Sequence, residues 1–127
     1  MGFALIWTDD DIEHVAQDFG QQVSDSLDSV LEGKKQQIQW VENIADLSKR
    51  VHNMFGIDGL QIAEIQFTVQ SAEYRAICVV VPESDAVVYY TTVPKKGSYQ
   101  ERRLDLMRRN SRQVRDAVRR QADEFSP

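Results

Sequence analysis

Arg75, Lys95, Lys96, Tyr99, Arg102 and Arg103 are the side chains whose types and spacing suit chemistry, and the chemistry they suit is that of phosphate. An arginine guanidinium offers phosphate a planar fork and keeps its charge at any physiological pH. A lysine or tyrosine can serve as acid or base when nearby positive charge lowers its pKa. Five of the six follow Pro94 directly, and Arg108, Arg109 and Arg112 extend the series as candidate nucleic-acid contacts. Residues 95–127 hold ten basic against five acidic side chains, a net of +5. Residues 1–94 hold five basic and fifteen acidic ones, a net of −10, which together give the chain its −5. A polyanion or an acidic partner reads such a segregated field, not the average.

Each residue also has a plainer reading that the sequence leaves open. Arg75, on a strand, can be solvated or paired with Glu64 or Glu73. Lys95-Lys96 can be a polar turn, and Tyr99 can anchor a helix start. The arginines from 102 to 120 all fall outside an apolar stripe, as on the solvated face of an amphipathic helix.

The elements that must position these residues are legible in outline. Phe3 to Thr8 is a short β-like run, and Asp9-Asp10-Asp11 suits the start of a helix, where the dipole favours carboxylates. Helical spacing follows in Ile12, Val15, Phe19 and again in Val23, Leu27, Leu31, with Gly33 as the expected C-cap. A third helical stripe runs Ile38, Val41, Ile44, Leu47, Val51, Met54. From residue 60 the period changes to two: Leu60 to Val69 alternates, Tyr74 to Val81 is almost wholly apolar, and Ala86 to Val93 returns after the turn Pro82-Glu83-Ser84-Asp85. A final helix carries Leu104, Met107, Val114, Val118 and Phe125. The expected fold is a single α+β domain over 1–127. It has strand 3–8, helices about 10–55, strands about 60–93 and a helix about 100–125. Its antiparallel sheet has about four strands, with the N-terminal helices packed on one face and a basic C-terminal helix.

Several classes are excluded or disfavoured. The longest apolar run, Ala76–Val81, is six residues, too short to span a bilayer. The start has no basic leader, so no signal peptide is expected, and the chain reads as cytoplasmic. The single Cys78 sits in that apolar run and reads as an inert buried thiol. His14 and His52 are far apart in sequence and have no local ligand pattern, so no metal and no cofactor is expected. No phosphate-binding glycine loop or nucleophile elbow is present. The stripe from 104 to 125 has coiled-coil-like gaps that leave a homo-oligomer open.

The order of these elements, with the residues at their junctions, resembles the RelE/ParE superfamily of toxin-like proteins. Phe3-Ala4-Leu5-Ile6-Trp7-Thr8 looks like that family's first strand, and Gln61 to Phe67 like the strand opening its sheet. Tyr74-Arg75-Ala76-Ile77 resembles its Tyr-Arg-hydrophobic strand, and Ala86 to Lys96 the next strand with its Lys-Lys exit. The resemblance implies either a metal-independent endoribonuclease acting on messenger RNA, typically in the ribosome, or a gyrase inhibitor. A small antitoxin would be the partner in both cases. In the ribonuclease case Arg75, Lys95, Lys96 and Tyr99 would be catalytic. A base takes the 2′-hydroxyl proton, cations hold the phosphorane charge, and an acid protonates the leaving oxygen. Two departures point to an attenuated activity, or to a non-catalytic protein binding nucleic acid or an acidic partner through its basic helix. Gln66 stands where family ribonucleases often have a basic residue, and the N-terminal helices are acidic.

Overall fold

In the computed structural model, which describes residues 2–95 and 99–125, the chain opens with strand β1 (Ala4–Ile6). Thr8, not the aspartates after it, caps helix α1 (Asp9–Phe19). Its Oγ1 accepts from the Asp11 amide at 3.1 Å, and Asp11 Oδ2 accepts from the Thr8 amide at 2.9 Å. This reciprocal box satisfies two amide donors at the helix start, and three aspartates complement the dipole. Thr8→Ala is expected to cost about 1 kcal/mol, read as a lowered urea midpoint with an unchanged slope.

Gly20, at φ +100°, separates α1 from helix α2 (Gln21–Ile38). The helix runs straight through Gly33, against the expected cap there. A solvent-facing glycine costs a helix only about 1 kcal/mol, and Leu31 and Ile38, both buried, hold the helix down on either side of it.

The third helical stripe is mostly something else. Ile38 ends α2, and beyond it only Ile44–Ser48 (α3) is helical, started by the Asn43 side chain accepting from the Asp46 amide. The rest feeds a strand that the spacing did not suggest, β2 (Asn53–Ile57). Asp58 and Gly59 both have positive φ, 45° and 82°, and form the two-residue turn that folds β2 back on β3 (Leu60–Val69), pairing Ile57 with Leu60. That geometry matches the right-handed twist of the flanking strands, and an Asp-Gly pair supplies it.

β3, β4 (Ala72–Val81) and β5 (Ala86–Pro94) are the three consecutive antiparallel strands expected. The sheet nevertheless has five strands, ordered β1-β5-β4-β3-β2, and it is mixed, because β1 runs parallel to β5 with Ala4 opposite Ala86. β4, in the middle, is buried on both faces from Arg75 to Val81, as the unbroken apolar run Ala76–Val81 requires. Leu5, Ile65, Phe67, Cys78 and Val87 pack against α1, α2 and α3 on one face. Ile62, Ile77, Val79, Val88 and Val93 pack on the other face against two C-terminal helices. These are α4 (Tyr99–Arg109) and α5 (Ser111–Glu124), where the stripe suggested one continuous helix. The break falls at Asn110, whose backbone turns to φ −112° and ψ 27° while its side chain joins its own amide in donating to the Leu106 carbonyl. Met107, Val114, Val118 and Ala122 then seal the second face. Among the described residues no helix is long and apolar enough to cross a membrane.

Candidate functional site

Alternation along β4 puts Glu73 and Arg75 on the face that α4 and α5 cover, and the register puts Gln66 of β3 and Val93 of β5 on either side of Arg75. The exit of β5 is held against the start of β4 by the Lys95 amide, which donates to the Glu73 carbonyl at 2.9 Å. The result is a polar cluster around one carboxylate. Arg75 Nη1 lies 3.0 Å from Glu73 Oε1, and Lys95 Nζ lies 3.3 Å from Glu73 Oε2. The Gln66 amide also donates to Glu73 Oε1. Arg75 is only 4% exposed, whereas Lys95 reaches solvent and Glu73 is partly open. The Arg75 guanidinium, more than any other group, holds the Glu73 carboxyl below the usual carboxylate range, and Lys95 adds to it.

Arg75 and Lys95, far apart in sequence, therefore do converge, within reach of a single oxyanion. The oxyanion there is Glu73. Arg75 Nη1 is also buried without an aligned hydrogen-bond acceptor among the described residues, so its contact with Glu73 is Coulombic rather than directional. Cations in this arrangement can bind an anion, but the protein's own carboxylate already occupies them. Lys96 and the Tyr99 side chain lie outside the described residues.

The remaining candidates sit on the helix layer. Arg102 is exposed and Arg103 half-buried on α4, and Arg108 pairs with Asp105 at 2.7 Å. Arg109 and Arg112 flank the Asn110 break, exposed and with no ion pair among the described residues, as is Arg120 further along α5. Arg112 and Arg120 are turned away from the buried Val114, Val118 and Ala122, though Asp116 and Asp123 share that side. Two other arginines serve the fold. Arg115 donates to the Asp58 carbonyl at 3.2 Å and Arg119 pairs with Glu83 at 2.8 Å, tying α5 to two turns of the sheet.

Glu73 was visible beforehand only as one of two possible partners for Arg75, and Gln66 only as a departure from a pattern. The signal for both was the period of two, which puts residues 73 and 75 on one face. Burial pushes the Cys78 thiol well above its ordinary value and does the same to the Tyr89 hydroxyl, which bonds Thr92 at 2.6 Å. Neither is placed to act as a nucleophile or acid. Among the described residues no group of three or more histidine, cysteine, aspartate and glutamate side chains is gathered as a metal site would need. The chain matches no family model, no curated protein and no solved structure.

Proposed function

We propose that the protein binds a nucleic-acid backbone through its α4–α5 layer without cutting it. The observation that carries this reading is the position of charge in space. α1 and α2 hold eight carboxylates and two lysines, a net of −6, while α4 and α5 hold eight arginines and five carboxylates, a net of +3. These two layers lie on opposite faces of one sheet. A polyanion therefore meets one attractive side, and Arg109, Arg112 and Arg120 stand on it. Arginine engages phosphate through two parallel hydrogen bonds, and phosphate contacts supply most non-specific nucleic-acid affinity. Against catalysis stands Arg75, which is buried and answered by Glu73 rather than open to a scissile phosphate.

The RelE/ParE resemblance belongs to this proposal. Support for it comes from the element order, one strand, three helices, then antiparallel strands with Tyr74-Arg75 on β4. With it come RNA as the target and a small antitoxin-like protein as the natural antagonist. A second reading, a metal-independent ribonuclease, is favoured by the convergence of Arg75 and Lys95 on one oxyanion position.

Titration of labelled single-stranded RNA at several salt concentrations tests both. With about three phosphate contacts, affinity should fall roughly tenfold to twentyfold between about 50 and about 200 mM salt, and the RNA should be recovered intact. Absent or salt-insensitive binding rules out the backbone-binding reading. Cleavage that survives EDTA, leaves 2′,3′-cyclic phosphate ends and disappears in Arg75→Ala transfers the site to the second reading.

A further inference from the structure

The Glu73 carboxylate has the partners an anionic ligand would have. Three groups from three segments converge on it: the Gln66 side-chain amide donates from β3, while the Arg75 guanidinium of β4 and the Lys95 ammonium beyond β5 lie 3.0 and 3.3 Å from its oxygens. Two cations face one negative charge, and the buried one, Arg75, keeps an Nη1 with no aligned acceptor among the described residues. Burying a cation without full hydrogen bonding is costly, so this cluster is under-satisfied as it stands. Its opening is Glu73 itself, which sits at the start of β4 with about a quarter of its side chain exposed.

We propose that Gln66, Arg75 and Lys95 form a subsite for one phosphate group, and that Glu73 is its built-in plug, displaced when the phosphate enters. A phosphate monoester brings about two negative charges to the two cations and three strong acceptors to their N–H groups, where the carboxylate brings one charge and two oxygens. An internal phosphodiester brings only one charge. The subsite therefore selects a terminal phosphate, as on inorganic phosphate or the 5′ end of an oligonucleotide, over the links along a strand. Glu64, buried two residues from Gln66 on the same face of β3, accepts from the Asn53 side chain instead. The inference rests on the reading of the protein as a phosphate binder, but it concerns a different surface from the helix arginines.

NMR titration of the full chain with inorganic phosphate, at ionic strength held constant with chloride, reads it directly through the Gln66 side-chain amide and the Arg75 Nε–H. Wild type should respond weakly and saturably. Glu73→Gln, which keeps the size and removes the competing charge, should bind phosphate about tenfold more tightly or better. Adding Lys95→Gln, at an exposed residue, should give back most of that gain. Glu73→Asp retains the charge on a shorter arm and serves as the opening variant if Glu73→Gln does not fold. A 5′-phosphorylated oligonucleotide should shift the same two signals where its 5′-hydroxyl counterpart does not. Equal phosphate affinity with and without the Glu73 carboxylate removes the plug, and no response beyond chloride in either opening variant removes the subsite. Loss of salt-dependent RNA binding at α4–α5 would leave a positive phosphate result standing. A negative phosphate result with intact RNA binding would discard the subsite alone.

Discussion

Replacing Arg109, Arg112 and Arg120 together with glutamine is expected to weaken single-stranded RNA binding about a hundredfold. A charge-assisted contact to phosphate contributes about 1 kcal/mol net at an exposed site, and three of them give about 3 kcal/mol, or two decades in affinity. The same substitutions should flatten the dependence of log K on log salt by about 2, because each single-strand contact releases roughly 0.7 of a counterion. Stability should stay within about 0.5 kcal/mol, since the three side chains are exposed and unpaired among the described residues. Arg115→Gln and Arg119→Gln are the informative contrast. They remove ties from α5 to the Asp58 and Glu83 turns, so they should loosen the helix more than they weaken RNA binding. Filter binding of the triple variant at wild-type strength would exclude this surface.

Leu27→Ala should have the largest effect on the fold, a loss of about 3–5 kcal/mol and a melting point lower by about 10–20 °C. Leu27 is fully buried at the middle of α2, in the cluster that joins the N-terminal helices to the sheet. A helix centre cannot relieve the cavity by fraying, as an end can, so most of the void remains. Leu106→Ala, at a residue about half exposed on α4, is the matched control and should cost well under 1 kcal/mol. Thermal unfolding of the two variants decides it, and equal melting points would mean that the α1–α2 layer contributes little.

The strands from 60 to 93 were legible because their chemistry has one interpretation. An alternating run followed by Tyr74 to Val81, apolar but for Arg75, pairs as a buried centre or not at all. β2 was hidden for the opposite reason. Asn53 to Ile57 is an edge strand, half exposed, and Met54 happens to extend the spacing of the stripe from Ile38. The Asp58-Gly59 pair was the better evidence, since both residues must take positive φ for the chain to reverse there. Likewise the helix breaks at Asn110 through a non-helical backbone, φ −112° and ψ 27°, which spacing does not reveal. At the site, the shared face of Glu73 and Arg75 follows from the strand period, but the burial of Arg75 does not. It depends on the C-terminal layer packing over that face, an arrangement no local pattern encodes. The arrival of Lys95 at the same carboxylate depends on the register of β5 against β4, with Tyr74 opposite Pro94.

The parallel pairing of β1 with β5 also sets a timetable. Ala4 finds its partner only when Ala86 exists, and Ile6 only when Val88 does. On a ribosome adding about 5–20 residues per second, the first strand waits on the order of 4–16 s for the last one. Through that interval Phe3, Leu5 and Ile6, all buried in the finished protein, have no sheet to join. Pairing across so long a stretch of chain is also entropically slow to begin. β1, made before every other element described, is thus among the last to be secured, and a nascent chain halted before Ala86 has every helix of its acidic layer but no closed edge for them to cover.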